Sequence, residues 1–339
     1  MRRPRKSFAR SPGHVVSAAG KARGAPLLHA SDSTGTVMGR RWRGTGAGKR
    51  SRAGSRFTSL GFVGPAMALL ALLYVVPTVI DGVYSITNYQ LGGRAQFVGD
   101  ANYAAIIHDS LFWQSAVNTL LFAVLTVGLG TLFSLGAALL LSGTFVGKGI
   151  YRFIIYLPQS ISFASGAVIW TWLYNSQNGP IDALLERLGI NGPAWLTDPH
   201  LALISIVLMS WWRDIGFYMV VLIAAVEGVP YALVEAARVD GASRLRVLWH
   251  VTLPSIRPAM LFVVLTWGLG ALQMFTQSYI MTDGGPVNST YTIVLKIYTD
   301  AFQALHLGYA ASEAFVLLAV CMVIGFFAVR WFSRGLENQ

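Results

Sequence analysis

The chain has 339 residues, of which 54% are hydrophobic and 12% charged, with a mean hydropathy of +0.53. Soluble domains carry about 25% charged residues, so this composition excludes a chain that coats itself for water. The formal net charge is +11, and the lone Cys321 excludes an internal disulfide framework or a cysteine zinc cluster; it reads as a small apolar filler.

Residues 1–56 differ from the rest. They hold 14 of the 26 Lys+Arg, with Gly, Ser and Ala and no apolar periodicity. Such a segment buries too little apolar surface to offset chain entropy, so it is expected to be a disordered basic tail. No apolar core follows its early arginines, which argues against a signal peptide, although an Arg-rich, acid-poor stretch also suits a transit peptide. The tail suits contact with anionic lipid headgroups, and Met38 offers a second start. Apart from Phe8 and Trp42 it has no Phe, Tyr or Trp, and this lack of interleaved aromatics argues against nucleic-acid binding.

Six apolar segments follow, at about 59–80, 115–141, 151–174, 201–226, 259–281 and 309–332. Each is near or above the roughly 20 residues that a helix needs to cross about 30 Å of hydrocarbon. Backbone groups in lipid must be satisfied within the segment, and no period-2 pattern suggests a barrel. The expected fold is therefore all-α: a polytopic membrane protein with six transmembrane helices. Glu313 lies within the last of them.

Positive charge sets the expected orientation. With the amino terminus inside, 22 of the 26 cations are cytoplasmic, and only Arg94, Arg187 and Lys296 are outside. Without the tail the bias is still 8 to 3, so both termini are expected to be cytoplasmic. The outer segments are then 81–114, 175–200 and 282–308. The inner segment 227–258 is the most polar stretch after the tail.

Residues 235–258 read EAARVDGASRLRVLWHVTLPSIRP. Glu235 to Arg238 looks like the end of a short helix, and Gly241 supplies a turn that a residue without Cβ makes cheaply. A second short helix is expected to run towards Thr252, with Pro254 and Pro258 stopping and redirecting the chain. The result is a cytoplasmic helix-turn-helix. Small Ala236, Ala237 and Ala242 permit close approach, and apolar Val239, Leu245, Leu248 and Val251 suit a partner's groove. An ordinary amphipathic connector between two spans fits the same pattern.

This stretch resembles the cytoplasmic loop of ABC importer permeases, E-A-A-x-x-D-G-A followed by I-x-L-P-x-x-x-P. Glu235, Ala236, Ala237, Asp240, Gly241, Ala242, Leu253, Pro254 and Pro258 match. Leu248 stands where that family usually has Phe, and Val251 where it has Ile; both stay apolar. The resemblance covers about 60–334 and is strongest to the carbohydrate-uptake type, on the side of the maltose- and glycerol-phosphate-type first permease subunit. Leu157-Pro158, Trp195-Leu196, Trp211, Asn118-Thr119-Leu120, Thr282 to Pro286, Ser289-Thr290, Ala301-Phe302 and Gly308 to Ala310 all fit it.

The resemblance implies a first span and outer loop over 57–113, and a permease domain over 114–334 with its ATPase-coupling loop at 227–258. It further implies a plasma-membrane location, a second homologous permease, a cytoplasmic ATPase dimer that binds the ATP and Mg, and an extracellular solute-binding protein delivering a sugar or sugar-like solute. The chain itself lacks a phosphate-binding loop, a catalytic dyad and ligand-spaced histidines. No catalytic residue, metal site or cofactor is therefore expected on it, and it is not expected to be an enzyme. A stand-alone secondary transporter or channel is the alternative, but no convincing internal repeat supports it.

Within the spans, Gln159, Ser162, Trp211, Arg213, Tyr218, Gln273 and Gln277 are the candidate substrate path. Aromatic faces paired with amides and hydroxyls suit a sugar ring, while interhelical packing uses the same residue types. Arg213 and Asp214 lie near the middle of the fourth span, where an ionised group costs roughly 2.5–3.5 kcal/mol on insertion scales. Sequence neighbours point about 100° apart on a helix, so the two need not pair. A water-filled path, a subunit interface or an ion pair with another span would each account for them.

Overall fold

The computed structural model describes residues 63–336, with side chains to Arg330. The expected tail over 1–56 lies outside the described residues. Their regular structure is all helical, with one isolated bridge between Thr87 and Phe97 and no sheet among the described residues.

In chain order, α1 is Val63–Ser85, α2 Ala101–His108, α3 Ser110–Leu141, α4 Lys148–Ser160 and α5 Phe163–Leu173. They are followed by α6 Pro180–Arg187, α7 Ala202–Glu227, α8 Tyr231–Val239, α9 Arg244–Ser255 and α10 Arg257–Leu272. The chain ends with α11 Thr276–Thr282, α12 Ile293–Tyr298 and α13 Leu307–Leu336.

Four of these helices, α1, α3, α7 and α13, are long and apolar enough to cross a bilayer unbroken. The α4–α5 and α9–α10 pairs bend by 100° and 66°, and counting each as one span gives six. Two expected spans are thereby corrected. The segment 151–174 is a broken helix, because Pro158 has no N–H to give and the chain tightens into a 3₁₀ turn at Leu157–Ser160. Ser162 then starts α5 afresh as its N-cap, accepting from the Ser165 N–H. The segment 259–281 is divided at residues 273–275, between α10 and α11.

Carbonyls freed by a break must find partners away from water. At the first break, Ile161 O accepts from Arg213 Nε at 3.0 Å. At the second, Met274 O accepts from Thr292 Oγ1 at 2.9 Å. A widened turn at Val124–Leu129 in α3 is met the same way, with the Trp211 indole donating to Thr126 O at 3.0 Å.

The core lies where α3, α7 and α10 meet, around Phe122, Ile206, Met209, Met219, Leu222 and Val263. Gly216 lets α7 touch α4, since a Cβ there would sit 2.1 Å from Ile155 O. Large apolar side chains such as Leu72, Leu132 and Phe326 remain exposed along the outside. In water that surface would be costly, whereas in hydrocarbon it meets its own solvent.

The two ends of the bundle differ. At one end Arg152 pairs with Glu227 at 2.6 Å and donates to Leu141 O, closing α3, α4 and α7 together. At the other, Lys296 of α12 meets Asp109 at 2.9 Å, Asp300 at 2.7 Å and Glu313 of α13 at 2.8 Å. Nearby, Asn118 of α3 donates to the Asn288 and Tyr291 carbonyls, tying residues 282–308 to the bundle.

Candidate functional site

Both helix breaks open onto one cavity of about 250 Å³. From the first break come Gln159 and Phe163, and from the second Gln273, Phe275 and Gln277. The α3, α7 and α10 helices add Phe122, Thr126, Ser210, Arg213, Asp214, Phe217, Tyr218 and Trp267. Broken helices in a membrane place irregular backbone where it lines a cavity rather than where it meets lipid.

The lining combines ring faces with hydrogen-bonding groups. Tyr218 and Trp267 stack at 4.2 Å between centroids, 15° from parallel. Gln277 is buried, and Gln159 Oε1 and Thr126 Oγ1 are buried without a hydrogen-bond partner. Arg213 and Asp214 pair with each other after all: Arg213 Nη1 donates to Asp214 Oδ1 at 2.5 Å. The 100° between their Cβ directions is bridged by the length and reach of the arginine, which also lies over the Phe163 ring at 3.7 Å.

Five of the seven residues expected along a path, Gln159, Arg213, Tyr218, Gln273 and Gln277, therefore share the lining. Ser162 and Trp211 do not border the cavity: Ser162 caps α5, and Trp211 holds the Thr126 carbonyl and meets Phe133 edge-on. Sequence reasoning missed Phe122, Thr126 and Phe275 as lining residues. The four-residue spacing of Phe122 and Thr126 on α3 was a usable signal. Nothing in the sequence announced Phe275, because no Gly or Pro marks the break that presents it.

The second structural feature is the helix-turn-helix of α8 and α9. Gly241 adopts φ +78, a conformation that an L side chain rarely takes. Around it Ala242 N–H donates to Ala237 O at 2.9 Å and Gly241 N–H to Arg238 O at 3.0 Å. That pair of bonds is a Schellman motif, which closes α8 with its last carbonyls satisfied. Ser243 caps α9 through the Arg246 N–H.

The second helix does not stop at Thr252, as the prolines suggested. Pro254 sits in the first turn of the short Leu253–Ser255 helix that ends α9, where its missing N–H costs little. The redirection falls at Ile256, just before Pro258 in the first turn of α10. Glu235, Ala236, Asp240 and Gly241 are exposed, Ala237 and Ala242 partly so, and Leu248, Leu253, Pro254 and Pro258 are half-buried. Tyr231, Leu233, Val239, Leu245 and Trp249 are the large apolar groups that face outwards on this unit. Val251 is half-buried like Leu248; the turn Leu248–Thr252 that carries both lies against α8.

A membrane bundle with a cavity at its helix breaks and an exposed helix-turn-helix at one end defines a transport permease. The chain belongs to the family of binding-protein-dependent transport system inner membrane components, whose pattern matches residues 130–338. It is 31% identical to the sulfoquinovosyl glycerol transport system permease protein of Agrobacterium fabrum, over 80% of this chain and 89% of that one. The lactose transport system permease protein of Rhizobium radiobacter is likewise 31% identical, over 78% and 90%. The sn-glycerol-3-phosphate transport system permease protein of Yersinia enterocolitica is 30% identical, over 81% and 94%.

The fold matches a bacterial ABC transporter involved in the import of the acidic polysaccharide alginate, with TM-score 0.73 and 21% identity over 83% of this chain and 96% of that one. The protein is thus a multi-pass inner-membrane permease component of an ABC importer served by a solute-binding protein. Membership of a binding-protein-dependent family decides against the stand-alone transporter, and components of this family are non-catalytic.

Proposed function

We propose that this permease carries a sugar or sugar-like solute through the cavity at its helix breaks, driven by a cytoplasmic ATPase docked on α8–α9. The observation that carries this reading is the outward-facing apolar set Val239, Leu245 and Trp249 on a helix-turn-helix at the cation-rich end. Exposed apolar side chains on a short helix pair between two spans suit a groove on another protein.

One chain supplies one such unit and an ATPase dimer offers two grooves. A second, similar permease fills the other, and an external binding protein delivers the solute. The proposed coupling residues are Glu235, Ala236, Ala237, Asp240, Gly241, Ala242, Leu248, Leu253, Pro254 and Pro258. The proposed path is Gln159, Arg213, Tyr218, Gln273 and Gln277, with Ser162 and Trp211 supporting it from behind. A sugar fits this lining because its ring offers CH faces to the aromatics and hydroxyls to the amides. The solutes in the relatives' names run from lactose to sn-glycerol-3-phosphate, so kinship supports the class and leaves the charge of the solute open.

Gly241 gives the test. Nothing lies within 4 Å of a Cβ built there, so a substitution acts through φ alone. Gly241→Val forces a β-branched residue into a left-handed conformation at about 1–3 kcal/mol, whereas Gly241→Asn tolerates it. The Val variant is expected to insert normally, lose ATP-dependent uptake into proteoliposomes and release the ATPase on purification. The Asn variant is expected to keep both. Wild-type uptake with a retained ATPase in Gly241→Val would reduce α8–α9 to a connector.

A further inference from the structure

The cavity also bears on the charge of the solute, a step that rests on the importer reading above. Arg213 and Asp214 are the charged residues of its lining, and they neutralise each other. The guanidinium is engaged on three sides: by Asp214 Oδ1 at 2.5 Å, by the Ile161 carbonyl at 3.0 Å and by the Phe163 ring at 3.7 Å. A carboxylated or phosphorylated solute is held best by an arginine fork with its face free. Here Asp214 holds Nη1 and the Ile161 carbonyl holds Nε, so the fork is not free, and an arriving anion would meet Asp214 as a like charge.

The neutral lining asks for a different ligand. Gln159 Oε1 is a buried carbonyl oxygen without a donor, and Thr126 Oγ1 is a buried hydroxyl without a partner. The Thr126 hydroxyl can give or take, but the Gln159 oxygen only accepts; a buried unpaired acceptor is costly, and a solute hydroxyl relieves it by donating a proton. A carboxylate or phosphate oxygen has no proton to donate. The Tyr218–Trp267 stack and Phe163 add apolar faces without charge.

We infer that Asp214 is a specificity-determining residue: by holding Arg213 neutralised, it sets this path for uncharged polyhydroxy solutes and against acidic sugars. Glucose and glucuronate share a ring and differ by one carboxylate, so they are the probes. Binding is read as ligand-dependent thermal stabilisation of the purified full-length chain in lipid nanodiscs, at constant ionic strength. Wild type is expected to bind glucose at least about tenfold more tightly than glucuronate, the scale of one unfavourable charge contact in a partly solvated site.

Asp214→Asn frees the arginine fork and should shift that ratio towards glucuronate by about tenfold, while Asp214→Glu should keep the wild-type order. Equal or tighter binding of glucuronate by wild type overturns the inference. So does an unchanged ratio in a folded Asp214→Asn, or failure of both sugars to bind. The wild-type ratio needs no variant, so a misfolded Asp214→Asn leaves the inference exposed to it. Failure here leaves the importer reading standing wherever ATP-dependent uptake survives and is abolished by Gly241→Val; loss of that dependence would sink the importer reading instead.

Discussion

Lys296 is a lysine with 4% of its side chain exposed, facing three carboxylates from three parts of the chain. Asp109 precedes α3, Asp300 follows α12 by less than a turn, and Glu313 is fully buried in α13. Burial works to raise the Asp109 carboxyl, but Lys296, the Phe112 N–H and the Tyr309 hydroxyl outweigh it and hold it below its ordinary 3.8. Burial likewise works to lower the Lys296 ammonium, and its bonds to Asp300, Glu313 and Asp109 raise it above its ordinary 10.5.

The signs follow from linkage. A depressed carboxyl contributes stability that is present above 3.8 and is lost as pH falls through the lower folded value. A raised ammonium contributes stability that is complete below 10.5 and is lost only as pH rises through its higher folded value. Lys296→Met leaves the carboxylates without their shared cation and should cost about 3–5 kcal/mol near neutral pH, as breaking a buried pair does. In thermal melts the gap to wild type should narrow as pH falls, because the stranded carboxyls, crowded together without their cation, take up protons from above the ordinary carboxylate range, while wild type keeps Asp109 ionised to below 3.8. A neutral-pH melt indistinguishable from wild type would show that the cluster is idle.

Only pieces of this cluster were legible beforehand: Glu313 inside an apolar span and the i,i+4 spacing of Lys296 and Asp300. Asp109 and Lys296 stand far apart in the chain, and no periodicity links them. The Gly241 turn was readable because its signals are local: small residues, one glycine and a Ser cap within a few positions.

Among the elements, the four unbroken helices were readable from apolar length alone, with ends off by a few residues. The breaks in the other two spans were not, for different reasons. Pro158 is a visible breaker, but a membrane helix tolerates proline when neighbours re-satisfy its backbone; only the fold shows Arg213 reaching Ile161. At residues 273–275 there is no breaker, and the Met274 carbonyl freed there is taken by Thr292, from a distant segment.

Helix approach gives the prediction at this scale. Gly216→Ala puts a methyl 2.1 Å from Ile155 O and 2.6 Å from the Tyr156 Cα. Both are backbone atoms, so α4 and α7 must separate. The expected cost is about 1–3 kcal/mol, typical of overpacking, read as a lower melting temperature. Gly136→Ala in α3 meets nothing within 4 Å and should be neutral or slightly stabilising, by up to about 1 kcal/mol. Equal melts for the two variants would mean that the close contact yields without cost.

For the whole molecule, charge and geometry converge on one sidedness. The cations Lys148, Arg152, Arg238, Arg244, Arg246 and Arg257 cluster in sequence at the α4 start and along α8–α10. The Arg152–Glu227 pair brings the first of those regions to the end from which α8 departs. Lys296 belongs to the opposite end, but its charge is buried among carboxylates and offers the headgroups nothing. The positive-inside bias is therefore sharper in the folded chain than the sequence count implies. The cation-rich end is expected to be cytoplasmic, with both termini on that side. Single cysteines test this in a background with Cys321 replaced by Ala. Gly93→Cys and Val287→Cys sit on exposed positions of the outer segments, and Ser243→Cys on the exposed turn before α9. A membrane-impermeant maleimide added to intact cells should label the first two and spare the third. After permeabilisation all three should react, which controls for thiol access. Labelling of Ser243→Cys in intact cells, with Gly93→Cys protected, would invert the orientation and place the helix-turn-helix where no cytoplasmic ATPase could reach it.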